Sequence, residues 1–208
     1  MFNGIRDVKG DGMSEQRYFP KLETNRLILR NVNDADTEFI FKLFSNEKIC
    51  DFLYDEELFT KIEDAIEFIE WNTNPEEKGY NRWIIEKKDT NEKIGTCGFD
   101  LWDRTNNIAE IGYDLWYEFW GCGYMKEALI AAIENGFNKM NLNRINAFVA
   151  LENKKSTTTL ESLGFINEGI YRDKHLLRGK YYDHYSYSLL KKDWNKQKIF
   201  NNMGAVIE

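Results

Sequence analysis

Glu110-Ile-Gly-Tyr-Asp-Leu-Trp-Tyr-Glu-Phe-Trp-Gly-Cys-Gly-Tyr-Met-Lys-Glu-Ala128 decides the fold of this chain. Apolar residues alternate from Ile108 to Trp116, which predicts a strand. Gly121 and Gly123 then mark a short turn, and a helix begins near Tyr124. Met125, Ala128, Leu129, Ala132, Ile133, Phe137 and Met140 repeat at helical spacing, so this helix buries one face. A strand, a glycine turn and a helix together make an anion site. The first helical turn has unpaired N–H groups and the positive end of the dipole, and glycine lets a phosphate approach the backbone. The stretch therefore predicts a pocket for the pyrophosphate of a nucleotide-like cofactor.

Immediately upstream, Arg82 to Lys87 and Lys93 to Trp102 read as strands joined by the turn Asp89-Thr-Asn-Glu-Lys93. With the central strand they form an antiparallel meander. That order excludes a Rossmann start, and Gly121-Cys-Gly-Tyr-Met-Lys126 lacks the third glycine of the dinucleotide fingerprint. No Walker loop is present. Farther upstream, Arg26 to Asn31 reads as a strand. Asn33 or Asp34 caps a helix with Phe39, Ile40, Leu43 and Phe44 on its apolar face. Thr60, with Glu63 at the capping-box position, begins a second helix whose stripe is Ile62, Ala65, Ile66 and Ile69. Pro75 to Gly79 breaks the chain.

Downstream, the long helix ends near Asn141, and Arg144 to Leu151 forms a strand parallel to the central one. A short helix over Ser156 to Leu163 is stopped by Gly164. Phe165 to Tyr171 and Tyr181 to Leu189 form a last pair of strands around Arg178-Gly179. Residues 1–20 read as a mobile leader, and residues 195–208 as a peripheral tail. One α+β domain over residues 21–194 follows, with a mixed, mainly antiparallel sheet flanked by helices.

Composition narrows the function classes. The 208 residues are 42% hydrophobic and 15% aromatic, enough for a real core. The net charge of −7 argues against nucleic-acid binding and suits a cationic substrate. Cys50, Cys97 and Cys122 are an odd, scattered set, which predicts neither disulfides nor zinc. His175 and His184 are the only histidines, so neither a Ser-His-Asp hydrolase nor a histidine-rich metal site is expected. No run approaches the ~18 apolar residues of a membrane helix, and no signal-peptide core is seen. A cytoplasmic protein without metal or membrane association is the expectation.

Glu110-Ile-Gly-Tyr113, Trp120-Gly-Cys-Gly-Tyr124 and Glu127-Ala128 together resemble the acetyl-CoA motif of the GNAT N-acetyltransferases. Within that superfamily the chain resembles the branch of ribosomal-protein N-terminal acetyltransferases and spermidine acetyltransferases. Leu22-Glu-Thr-Asn-Arg-Leu-Ile-Leu-Arg30 resembles that branch's opening strand. Glu152-Asn153, Ser156 and Leu163-Gly-Phe165 resemble its second cofactor segment. Gly179, Asp183, Tyr185 to Leu189 and Trp194 resemble its closing strand. The resemblance implies the GNAT-like acyl-CoA acyltransferase fold with acetyl-CoA as cosubstrate. It implies that backbone groups of Leu115 and Trp116 hold the pantetheine arm, and that the N–H groups of Gly121, Cys122, Gly123, Tyr124, Met125 and Lys126 cradle the pyrophosphate. Asn153 is then expected to bind the pantetheine region, with Ser156 near the sulfur.

The chain also departs from that pattern. Tyr117 and Met125 stand where the family usually has a proline and a small residue. Leu160 stands where many of these enzymes carry a tyrosine acid, so any acid must be Ser156, a tyrosine such as Tyr113 or Tyr171, or water. The implied reaction is direct attack of a neutral amine on the thioester. Glu110 is the candidate base, and a strand-end N–H of Leu115 or Trp116 the candidate oxyanion donor.

Each of these residues has a plainer alternative. Glu110 can pair with an arginine across the sheet, Asp114 can be structural, Ser156 can cap its helix, and Cys122 can be a bystander. Asp51, Asp55, Glu56 and Glu57 can be a solvated loop or a rim that attracts cations. The acceptor is expected to be a peptide or protein N-terminus, with a polyamine or other small amine as the alternative. A non-catalytic CoA-binding module is the rival from another class. The protein is expected to be a monomer or a homodimer.

Overall fold

A computed structural model describes residues 18–55 and 57–196. The expected leader up to residue 17, the tail from residue 197 and Glu56 lie outside the described residues. Within the last residues of the expected leader, Phe19 is fully buried. The Glu76 carboxylate accepts from the Tyr18 and Phe19 N–H groups.

The strands are β1 (Leu22–Glu23), β2 (Leu27–Asn31), β3 (Trp83–Lys87), β4 (Lys93–Asp103), β5 (Ile108–Leu115), β6 (Arg144–Ala150), β7 (Ile166–Leu177) and β8 (Lys180–Leu190). The helices are α1 (Thr37–Phe44), α2 (Glu47–Cys50), α3 (Ile62–Asn72), α4 (Pro75–Lys78), α5 (Tyr124–Asn138) and α6 (Lys154–Ser162). The strands form one sheet in the order β1-β2-β3-β4-β5-β6-β8-β7. Every neighbouring pair is antiparallel except β5 and β6, which α5 connects in parallel. The meander and the parallel crossover are those expected from the sequence. Among the described residues no helix is long and apolar enough to cross a membrane.

Alternation along the strands feeds two cores, one on each face. On one face Leu27, Leu29, Ile85, Ala109 and Ile111 pack with α5 and α6 residues such as Ala128, Leu129, Ile133 and Leu160. On the other, Ile84 packs with Ile40, Leu43, Ala65 and Ile69 of α1 and α3. α5 lies close on the sheet because Gly136 carries no side chain: a Cβ there would stand 2.8 Å from the Phe99 ring.

Several local expectations shift. α3 starts one residue later than expected, with Lys61 as its N-cap. Asp64, not Glu63, accepts from the Thr60 and Lys61 N–H groups. Ile62 and Ile66 of its expected stripe are 39% and 43% exposed, because α3 packs into the core through Ala65, Phe68 and Ile69 instead. α6 is capped by Asn153, whose side chain accepts the Ser156 N–H, so Ser156 is not the cap. The four-residue helix α2 falls where no element was expected.

Candidate active site

The central strand β5 faces two ways. The Trp116 N–H donates to the Ile94 carbonyl at 2.8 Å, and Leu115 stands opposite Gly95 in the ladder. In an antiparallel pair successive residues point their backbone groups to opposite sides. Glu110, Gly112, Asp114 and Trp116 therefore bond toward β4, while Ile111, Tyr113 and Leu115 turn their N–H and C=O groups toward β6. Yet β6 pairs with β5 only from Ile108↔Arg144 to Glu110↔Asn146. Past that point the two strands run on to Leu115 and Ala150 without pairing. The gap leaves an unsatisfied strand edge that an extended, amide-bearing ligand can complete.

This corrects one expectation. The Trp116 N–H is already committed to β4 and is unavailable to a ligand. The Leu115 carbonyl is also occupied, accepting from Trp120 Nε1 at 2.9 Å. The Leu115 N–H and the backbone of Tyr113 are the groups left at the mouth of the gap.

Beyond β5 a single 3-10 turn, Tyr117–Phe119, leads into the glycine turn. Gly121 and Gly123 have φ of +76° and +77°, the left-handed region that side chains disfavour. The first hydrogen bond of α5 joins the Glu127 N–H to the Gly123 carbonyl. The N–H groups of Tyr124, Met125 and Lys126 precede it and have no acceptor within the helix. The Cys122 N–H instead donates to the Phe119 carbonyl at 3.4 Å. Met125 is 8% exposed and joins the core, as its place on the apolar stripe predicts.

A cavity of about 1090 Å³ runs from this turn along the gap. Leu115, Gly121, Gly123, Tyr124, Met125, Lys126, Asn153 and Ser156 all line it, whereas Trp116, Cys122 and Glu110 do not. Because the strands splay, the cavity meets both faces of the sheet. Ile49, Phe52, Leu53 and Asp114 line it from the α1–α3 side, and Tyr113 and Ser156 from the α5–α6 side. Sequence reasoning missed the lysines Lys48, Lys154 and Lys155, which line it together with Lys126. Lys48 Nζ sits 4.0 Å from the Tyr117 ring centroid and Lys155 Nζ 3.6 Å from that of Trp120. The pair Lys154-Lys155 directly after the cofactor-segment asparagine was the available signal. Free helical N–H groups, four ammonium groups and an open strand edge match a pyrophosphate joined to an amide-rich arm, as in a CoA thioester.

Leu160 is fully buried in the core and offers no proton. Ser156 Oγ lies 2.7 Å from the Tyr113 hydroxyl. Burial pushes the Tyr113 phenol well above its ordinary range.

Glu110 lies on the opposite face of β5, level with Asp100 of β4. Among the described residues its carboxylate has no ion pair or hydrogen bond. The alternative of an arginine partner across the sheet is not met: Arg82 lies across Gly112, with Nη1 3.9 Å from the Asp114 carboxylate. Burial raises the Glu110 carboxyl to about 7, Lys174 opposes the shift, and Asp100 and Asp55 add to it. Burial likewise raises Asp100 and Asp114 against the pull of Arg82. Above this face Tyr54 stacks on Tyr182 at 3.8 Å, and Glu57 holds Arg178 at the β7–β8 turn at 2.7 Å. The loop expected to be acidic thus reaches over the sheet, and Asp55 faces Asp100, Glu110 and Asp114.

Comparison with known proteins agrees with this geometry. The model of the acetyltransferase (GNAT) domain matches residues 26–166. YoaA, an uncharacterized N-acetyltransferase of Bacillus subtilis (strain 168), is 40% identical over 174 residues, covering 83% of this chain and 98% of that protein. The ribosomal protein uS5 alanine N-acetyltransferase of Escherichia coli (strain K12) is 35% identical over 107 residues, covering 51% and 55% of the two chains. The crystal structure of spermidine N-acetyltransferase from Vibrio cholerae in complex with CoA and spermine has the same fold. Its TM-score is 0.73 at 23% identity, over 82% of this chain and 99% of that one.

Proposed function

The chain belongs to the GNAT acetyltransferase family and is an N-acetyltransferase, and we propose that its acceptor is the free N-terminus of a peptide or protein. Acetyl-CoA, the acyl donor of this family, supplies an acyl carbon activated as a thioester. Tyr124, Met125 and Lys126 present helical N–H groups to its pyrophosphate, and Lys48, Lys154 and Lys155 add positive charge. The open edge of β5 takes the pantetheine arm through the backbone of Tyr113. The Leu115 N–H, pointing into the gap, stabilises the tetrahedral oxyanion. Ser156 donates to the sulfur as the C–S bond breaks, and Glu110 takes the amine proton directly or through water.

The reading of the acceptor rests on Glu110. A base raised to about 7 lies within roughly one unit of an α-amino group (~8), but some three units below a lysine-like or polyamine nitrogen (~10). Proton removal from an N-terminus is thus the smaller task. A polyamine is the second reading, favoured by the carboxylates of Asp55, Asp100, Glu110 and Asp114 on the acceptor face. The catalytic unit in this proposal is a single domain over residues 21–194.

The test is acetyl transfer from acetyl-CoA to a panel of peptides with free N-termini, the same peptides blocked at the N-terminus, and spermidine. Turnover of the free peptides alone supports the proposal. A higher kcat/KM for spermidine than for every peptide replaces it with the second reading.

A further inference from the structure

The half-buried hydroxyl pair Tyr113–Ser156 answers a question that Leu160 raises. This chain has no tyrosine on α6 at the place where the leaving sulfur needs a donor, and Leu160 is sealed in the core. A phenol reaches the first turn of α6 from β5 instead. Tyr113 Oη is 2.7 Å from Ser156 Oγ and 3.5 Å from the Ser156 carbonyl. Both residues line the cavity beside Leu115 and Asn153.

The two hydroxyls share one short bond but have two protons, and the surroundings decide which proton fills it. If Ser156 donated, the Tyr113 proton would have only the carbonyl at 3.5 Å, the outer limit of a hydrogen bond. If Tyr113 donates, Ser156 Oγ accepts at 2.7 Å and its own proton is free to turn into the cavity. Burial keeps the phenol protonated and hence a donor. Asn153 Oδ1 accepts the Ser156 N–H at 3.1 Å, which holds the first helical turn in place. The serine is gripped from two sides, and only its hydroxyl proton is left uncommitted.

We propose that Tyr113 is a positioning residue that turns the Ser156 hydroxyl proton toward the cofactor sulfur, a task the family's α6 tyrosine cannot perform here. The proposal rests on the role given to Ser156 above. As the amine nitrogen bonds to the acetyl carbon, the C–S bond breaks and its electron pair goes to sulfur. The Ser156 O–H donates a hydrogen bond to that sulfur, and the Tyr113 O–H donates one to Ser156 Oγ. Donation from the phenol polarises the serine hydroxyl and strengthens its own donation. No proton leaves either hydroxyl, and the amine proton goes to the base.

The experiment is a double-mutant cycle with Tyr113→Phe, Ser156→Ala and both together, measuring kcat, KM for acetyl-CoA and calorimetric Kd for CoA. Tyr113→Phe is expected to lower kcat about tenfold, the loss of one oriented hydrogen bond, with KM and Kd within about twofold. Ser156→Ala is expected to lower kcat at least as much, and adding Tyr113→Phe to it to cost nothing further. A phenol that merely fills the core would instead give multiplying losses, which overturns the proposal. Unchanged kcat in Tyr113→Phe overturns the proposal alone, provided that Ser156→Ala is slow. Unchanged kcat in Ser156→Ala removes the serine role and the proposal with it. Incorporation of 3-fluorotyrosine at position 113 keeps the ring and the donor, so kcat near wild type is expected. A tenfold loss there counts against hydrogen-bond donation.

Discussion

Asp100 and Glu110 stand directly opposite each other on β4 and β5, two carboxylates on one face, and among the described residues neither forms an ion pair. Like charges in this position oppose pairing of the strands. The fold tolerates them because burial, with Asp100 and Asp55 adding to it, holds Glu110 partly protonated near neutral pH. The arrangement makes Glu110 responsive in the range where an amine base is needed.

Glu110→Gln is expected to lower kcat by roughly a hundredfold or more, the usual worth of a general base, with little change in CoA affinity. The wild-type rate should rise with pH around a midpoint of about 7, and this limb should vanish in the variant. Asp100→Asn should move the limb to lower pH, because removing a neighbouring negative charge eases ionisation. An unchanged profile in Glu110→Gln would reduce Glu110 to a structural residue.

The same shift predicts a stability effect of defined sign. The folded-state value of about 7 lies above the ordinary carboxyl value of 4.5. The protonated form therefore favours folding below the unfolded value, and that contribution is lost as pH rises through about 7. Glu110→Gln should raise Tm at pH 8, by an amount worth up to roughly 3 kcal/mol, and leave it nearly unchanged at pH 4. Thermal denaturation at the two pH values gives the difference; equal effects at both would place the cause outside ionisation.

Gly123→Glu should weaken CoA binding by at least about a hundredfold, because it sets a carboxylate beside the pyrophosphate. Gly179→Ala, at the β7–β8 turn and outside the cavity lining, serves as the control. A Cβ at Gly179 meets nothing within 4 Å, so only the strain of its positive φ remains, about 1 kcal/mol of stability. Calorimetric titration with CoA separates the two. Unchanged affinity in Gly123→Glu would mean that the phosphates bind elsewhere.

Leu160→Tyr restores the family's tyrosine in sequence but not in space. Leu160 is fully buried, so the larger ring should cost about 1–3 kcal/mol by overpacking and should not replace Ser156. Assay of Leu160→Tyr combined with Ser156→Ala decides this; recovery of wild-type kcat would show that the phenol reaches the sulfur after all.

Glu127 links the cofactor helix to the first strands. Its carboxylate accepts from Thr24 Oγ1 at 2.6 Å, from the Arg26 N–H at 2.8 Å and from Arg26 Nε at 2.6 Å. Burial raises its pKa, but these bonds outweigh burial and lower it overall. Its contribution is therefore present above the unfolded value of 4.5 and is lost as pH falls through the lower folded value. Glu127→Ala should cost about 1 kcal/mol at pH 7 and much less at pH 3. A constant loss measured by denaturant titration at both pH values would assign the effect to packing.

The periodic parts of this structure were legible in the sequence. Alternation from Ile108 and the stripe from Met125 to Met140 marked β5 and α5 because each buries one regular face. Gly121 and Gly123 stood out because few other residues adopt a positive φ. Three-dimensional choices left no such trace. Nothing local says that Trp116 turns its N–H to Ile94, that Arg82 crosses Gly112 to reach Asp114, or that Tyr113 meets Ser156 across 43 residues. Ile62 and Ile66 misled for the same reason. A helical stripe gives a direction of packing, while the neighbours that arrive decide how wide a stripe is covered. The lysines around the cleft were hidden by their separation, since Lys48 precedes the glycine turn and Lys154 and Lys155 follow it by a full helix and strand.

The division of labour along β5 also sets which changes the chain can tolerate. Even-numbered residues answer to β4, and odd-numbered ones face the gap. A single residue added or removed in the 104–107 turn would exchange these duties if the β4 pairing slipped by one. Glu110 would then trade faces with Ile111, and Tyr113 would point away from Ser156. Lengthening that turn while keeping the register should be harmless. What this short connection must preserve is therefore the register and not its own length: an insertion or deletion matters only when it moves β5 along β4.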